Sequence, residues 1–248
     1  FLKDALRSQQ RDYFILAVKN TALPQLVEDS PHQWIAMEEI AQALPLFRAQ
    51  GVTDILMAGK LQRPNLLKLR PFWFSLSLLL RIGLSYFKGD DAMFKAIIRV
   101  LEQEGFRIIG ADDILQDLLT PKGVLTKTQP SNQADITLAF DAAKALGARD
   151  IGQAVIVKDG KVIAEEDIHG TDALIKRAAG HAGAILAKAK KPQQERRVDL
   201  PTIGVHTIAA LAAGGYAGVV LEAGHSLILH REEVIALADK HGLFVIGV

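Results

Sequence analysis

The tightest constraint on the fold is the order in which strand-like and helix-like segments follow one another. Tyr13 to Val18 reads as a short buried strand. A helical stretch with Ile40, Leu44 and Phe47 on one face comes next, then Gly51, then the strand-like run Val52 to Ala58. Strand, helix, strand in this order predicts a parallel βαβ unit. Pro45 within the helical pattern marks either a kink or the beginning of a helix. The loop Ala58 to Pro64 leaves the carboxyl end of the second strand, where open α/β sheets bind ligands. A further helix spans about Asp90 to Glu104, with Met93, Phe94, Ile97, Ile98 and Leu101 as its apolar stripe and Gly105 as its stop.

Between Gln116 and Pro130 this periodicity breaks, and Thr120-Pro121-Lys122-Gly123 punctuates the chain. The expectation is an α/β protein of two domains. Residues 1–120 form a parallel, Rossmann-like sheet lacking its first strand, and residues 121–248 form a mixed α/β catalytic domain. In the second domain a helix is predicted near Asp135 to Leu146. A hairpin follows, with strands Gln153 to Val157 and Val162 to Ala164 about the turn Lys158-Asp159-Gly160-Lys161. Another helix opens at Gly170-Thr171-Asp172. Strands Ala217 to Leu221 and Ser226 to Leu229, a helix from Glu232 to Lys240 and a strand Leu243 to Ile246 complete the reading.

Composition narrows the function. The 29 Lys and Arg against 28 Asp and Glu leave a formal charge of +1, which argues against a nucleic-acid binder. Any basic site must therefore be local. Without cysteine there are no disulfides, thiolate metal sites or thiol nucleophiles, which fits a reducing cytoplasm. The most apolar window, Phe72 to Leu80, falls well short of the ~20 residues needed to cross a bilayer. It reads as core or, at most, as peripheral membrane contact. The start Phe-Leu-Lys-Asp-Ala-Leu-Arg has neither an initiator Met nor the layout of a signal peptide, so a beginning is expected to be missing.

The chemistry concentrates between Lys188 and Gly204. Lys188, Lys190, Lys191, Arg196 and Arg197 lead directly to Asp199, within Lys-Pro-Gln-Gln-Glu-Arg-Arg-Val-Asp-Leu-Pro-Thr-Ile-Gly. Such cations can hold a diphosphate, and Asp199 can hold a metal or orient water. The competing reading is a solvated basic loop with a turn aspartate. Thr171 and Asp172 open a helix whose N–H groups attract anions, and equally read as a routine cap. Asp90 and Asp91 read as a cap with a dipole-favoured carboxylate, or as a pair for a divalent cation. The seven histidines lack metal-ligand spacing and the serines lack a Gly-x-Ser-x-Gly setting. Gly214-Gly215-Tyr216-Ala217-Gly218 precedes a strand, so it is no dinucleotide fingerprint, and a nicotinamide-dependent oxidoreductase is disfavoured.

Taken together, the motifs resemble the LpxI type of UDP-2,3-diacylglucosamine pyrophosphatase, from the lipid A pathway of Gram-negative bacteria. The landmarks run through nearly the whole chain: Lys88-Gly89-Asp90-Asp91-Ala92, Glu104 to Ala111, Asp150-Ile151-Gly152-Gln153 and Gly170-Thr171-Asp172-Ala173. They continue with Lys191-Pro192, Gln194, Arg197 to Gly204, Glu222-Ala223-Gly224 and Gly242 to Gly247. The resemblance implies Mg²⁺-dependent hydrolysis of the substrate diphosphate to UMP and 2,3-diacylglucosamine 1-phosphate (lipid X), with water attacking the phosphorus next to the sugar and the lipid held between two domains. It places the essential aspartate on Asp199. Thr171, Asp172, Lys191, Gln194 and Arg197 would shape the phosphate and sugar site, and Asp90 and Asp91 would join Asp199 at the metal. It also implies a cytoplasmic protein with peripheral contact to the inner membrane, and is compatible with a homodimer. Against that family, this chain starts after the first strand and its Gly-rich turn, and His169 stands where members carry glutamate. The rival reading is a truncated or inactive homologue that binds the glycolipid without turnover.

Overall fold

The computed structural model describes residues 2–59 and 90–248, apart from the side chains of Asp90 and Asp91. The Lys60 to Pro64 part of the predicted loop, the apolar window Phe72 to Leu80 and Lys88-Gly89 lie outside the described residues. The chain divides into two compact units, Phe1–Leu115 and Gln116–Val248.

The first unit opens with helix α1 (Leu2–Ser8), followed by strands β1 (Ile15–Val18) and β2 (His32–Ile35), helix α2 (Ala43–Ala49) and strand β3 (Asp54–Leu56). Helix α3 (Asp90–Gln103), strand β4 (Arg107–Ile109) and the single turn α4 (Ala111–Ile114) follow among the described residues. Two parallel pairs form, β1 with β2 and β3 with β4. This corrects the expected pairing of the first strand with the Val52 to Ala58 run: its neighbour is β2, a strand that polar His32 and Gln33 conceal in the sequence. Pro45 occupies the first turn of α2, where its missing N–H costs no helical bond. Across β3 and β4, Asp54 and Arg107 are register partners, and the guanidinium donates to both carboxylate oxygens at 2.8 and 2.6 Å. Those bonds hold the Asp54 carboxyl below its usual range.

The second unit is a three-layer α/β/α body. Its elements are β5 (Gly123–Val124), α5 (Gln133–Ala148), the hairpin β6 (Ala154–Lys158) and β7 (Lys161–Glu165), α6 (Gly170–Arg177) and β8 (Ile185–Lys188). Then come β9 (Thr202–Ile203), α7 (Val205–Ala213), β10 (Gly218–Leu221), β11 (Leu227–Ile228), α8 (Arg231–Lys240) and β12 (Phe244–Gly247). Six strands make one mixed sheet in the order β5-β12-β10-β8-β6-β7, with β8, β10 and β12 parallel at its centre. A two-stranded parallel sheet, β9 with β11, stands beside it.

The central strands are buried on both faces, so they read as unbroken apolar runs. Alternate residues face opposite layers: Leu186, Val219 and Val245 pack with Leu174, Ile208, Leu211 and Val234 from α6, α7 and α8. Ile185, Ala187, Val220 and Ile246 pack with Ile136, Ala139, Ala143 and Leu146 of α5. The hairpin turn takes positive φ at both Asp159 and Gly160, as a two-residue primed turn requires. Buried Asp135 secures it by accepting both turn N–H groups, at 2.9 and 2.7 Å.

Among the described residues, no helix is long and apolar enough to cross a membrane. The sheet is packed tightly enough that Gly218 has no room for a side chain: a Cβ there would lie 2.3 Å from the Phe244 carbonyl oxygen of the neighbouring strand. Gly218→Ala is expected to destabilise the protein by about 3 kcal/mol, the upper part of the range for overpacking. Urea denaturation measures this, and an unchanged midpoint would contradict the packing described.

Candidate functional site

The site grows from the carboxyl edge of the parallel strands. β6 runs antiparallel to β8 with Ala154 opposite Lys188, and the Glu166 N–H bonds the Ala154 carbonyl at 2.9 Å. The start of β6, the residue after β7 and the end of β8 therefore meet at one rim, the position where open α/β sheets place ligands.

Lys188 is the last residue of β8 and faces the same side as Leu186, toward α6. It is only 6% exposed, so its charge is carried almost wholly inside the protein. Its Nζ donates to the Thr202 carbonyl at 2.9 Å. Burial lowers its affinity for a proton below the ordinary lysine range, and the carboxylates of Glu166, Asp172 and Asp199 oppose that shift. These three carboxylates are thus the acidic groups whose charge acts on the buried Lys188.

Each is fixed differently. Glu166 is buried, accepts the Gln153 N–H at 2.7 Å through Oε2 and the Thr171 hydroxyl at 2.6 Å through Oε1. Asp172 sits exposed in the first turn of α6, favoured there by the helix N-terminus. Asp199 is also exposed; its Oδ2 accepts the amide of buried Gln194, and its Oδ1 takes no hydrogen bond among the described residues. Gln194 is itself held by its Oε1, which accepts the Lys191 N–H at 3.1 Å, and by a long contact of 3.4 Å to Gln153.

Of the residues singled out from the sequence, Thr171, Asp172, Gln194 and Asp199 converge here. Lys191 lies in the same loop, but its Nζ reaches Asp150 at 2.9 Å. Arg197 engages Glu195 through Nε and Nη2 at 2.9 and 3.1 Å. Asp90 begins α3 in the first unit, and the side chains of Asp90 and Asp91 lie outside the described residues. His169 is exposed and its backbone N–H bonds Asp167. The buried glutamate near Gly-Thr-Asp is instead Glu166, three residues earlier.

Two site residues escaped the sequence reading in these roles. Glu166 hides in the acidic run Glu165-Glu166-Asp167, and Lys188 was counted with the basic loop. The signal for Lys188 was its parity: two residues past Leu186 in a strand, it shares the core-facing side. On the opposite side of the rim, Lys144 pairs with Glu222 at 2.9 Å, and Glu222 also accepts the Lys190 N–H at 2.7 Å.

No group of three His, Cys, Asp or Glu among the described residues is arranged to hold a metal unaided. The exposed oxygen of Asp199 nevertheless suits a hard cation, and Mg²⁺ is usually bound by one or two carboxylates together with substrate phosphates.

Fold and rim define an α/β protein of two units whose second unit carries a lysine and carboxylate centre at the edge of its parallel strands. The chain belongs to the LpxI family: the family's N-terminal domain matches residues 2–118 and its C-terminal domain residues 121–246. It is 40% identical over 250 residues to the UDP-2,3-diacylglucosamine pyrophosphatase LpxI of Caulobacter vibrioides, an alignment covering 96% of this chain and 89% of that protein.

Gly152 makes room for the centre: a Cβ there would lie 2.8 Å from Glu166 Cβ and 3.1 Å from Glu166 Oε2. Gly152→Ala is expected to displace Glu166 and cost about 1–3 kcal/mol. Thermal melting tests this, and a variant as stable as the parent would mean that Glu166 is not held where described.

Proposed function

We propose that the protein hydrolyses the diphosphate of UDP-2,3-diacylglucosamine to UMP and lipid X, a step of lipid A biosynthesis. The observation that carries the reading is the placement of Asp199, held by buried Gln194 beside the Lys188 centre, in a member of a family that includes a UDP-2,3-diacylglucosamine pyrophosphatase.

The reaction adds the oxygen of water to the phosphorus next to the sugar and breaks its bond to the bridging oxygen, which leaves with UMP. Asp199 would hold Mg²⁺ through its open oxygen, with substrate phosphate oxygens completing the shell; Asp90 and Asp91 remain proposed further ligands. When bound, the ion neutralises diphosphate charge and acidifies water. Around it, Gln194 fixes the direction in which Asp199 points. The backbone N–H groups at the start of α6 offer hydrogen-bond donors for a phosphate or sugar oxygen, and Thr171, whose hydroxyl donates to Glu166, anchors that turn at the rim. Lys191 and Arg197 add positive charge to the loop that the diphosphate would approach, which favours an anionic leaving group. The acyl chains need an apolar surface, for which Phe72 to Leu80 is the proposed segment, with peripheral contact at the cytoplasmic face of the inner membrane.

Incubation with UDP-2,3-diacylglucosamine and Mg²⁺ is expected to release UMP and lipid X, and EDTA is expected to abolish release until Mg²⁺ is restored. Release unaffected by EDTA would remove the metal from the proposal, and no release under any condition would refute the hydrolase reading.

A further inference from the structure

The loop that carries Gln194, Arg197 and Asp199 leaves the sheet at the end of β8 and returns to regular structure at β9. Its two ends are joined by one side chain: Lys188, the last residue before the loop, bonds through Nζ to the carbonyl of Thr202, the first residue after it. Further bonds organise the loop internally, from Lys191 N–H to Gln194 Oε1 and from Asp199 N–H to the Glu195 carbonyl at 3.1 Å each. The clasp at its base is the lysine. A buried ammonium costs desolvation, which the protein accepts only where bonds and opposite charges offset it. The Thr202 carbonyl and the carboxylates of Glu166, Asp172 and Asp199 provide that offset here.

We propose that Lys188 is a positioning residue for Asp199: its Nζ closes the base of the loop of residues 189–201 on the Thr202 carbonyl, and this loop is the one in which Gln194 holds Asp199. A methionine would fill the same volume without closing the loop. An apolar side chain would satisfy packing, so the charge is retained for what it holds and not for core stability. The part of this proposal that concerns turnover rests on the pyrophosphatase reading; the part that concerns loop order does not.

The test compares Lys188→Met and Lys188→Arg with the parent chain by hydrogen exchange and by UMP release from UDP-2,3-diacylglucosamine with Mg²⁺. In Lys188→Met, amides of residues 189–201 are expected to exchange at least about tenfold faster while β8, β10 and β12 stay protected. Its kcat is expected to fall about 100-fold with KM within about threefold, the pattern of an interaction realised in the transition state. Lys188→Arg, which keeps the charge and a donor, is expected to restore loop protection in large part. Parent-like loop exchange in Lys188→Met would overturn the proposal. So would an arginine variant as loose as the methionine one, since shape and not the cation would then be responsible. Should Lys188→Met fail to fold, protection of the loop in Lys188→Arg decides the matter alone. A parent chain that releases no UMP refutes the pyrophosphatase reading, while the exchange data still decide whether Lys188 orders the loop.

Discussion

A charged side chain in a nearly solvent-free position must be matched on the spot, and at Lys188 this requirement dictates much of the second unit. The ammonium ends a strand whose other residues are buried on both faces. It can be matched only by groups that reach the rim from other segments: Thr202 from the start of β9, Glu166 from the end of the hairpin, Asp172 from the first turn of α6 and Asp199 from the loop. Two stretches, residues 166–172 and 199–202, are thereby required to meet at the end of β8. The same electrostatic demand that would destabilise an unmatched lysine makes the assembly specific.

Around that point the sheet supplies rigidity. Three parallel strands, each sealed between α5 and the layer of α6, α7 and α8, leave little freedom at their carboxyl ends. Glycines at close approaches refine the fit, Gly218 against the Phe244 backbone and Gly152 against Glu166. The rim therefore combines a fixed floor of strand ends with a loop that holds the carboxylate proposed to be reactive, a division of labour common where loops bear function on a stable scaffold.

The sequence disclosed the second unit unevenly. The hairpin about Asp159-Gly160, the helix opening at Gly170 and the final strand-helix-strand series were legible because turn glycines and apolar runs mark them. β8 was not, since Ala184-Ile185-Leu186-Ala187-Lys188 lacks the β-branched density of a typical strand and is stabilised by its neighbours instead. α7 was overlooked although Gly204 and Gly214 bound it and Ile208 and Leu211 form its buried stripe. In the first unit, β2 was concealed by its polar residues. At the site, Asp199, Gln194, Thr171 and Asp172 stood out by motif. The partners that hold them there, Glu166 and Lys188, looked like ordinary surface charges, because burial of a charge is a property of the fold and not of the local sequence.

The central claim is that Asp199 performs chemistry at this rim and does more than bind. Single-turnover reaction of Asp199→Asn with UDP-2,3-diacylglucosamine and Mg²⁺, alongside equilibrium binding of the same substrate, tests it most directly. The account predicts binding within about tenfold of the parent and a hydrolysis rate reduced by about 10³-fold or more, as when a group acting on the reacting phosphorus is removed. Hydrolysis at the parental rate would contradict it and move the catalytic group elsewhere.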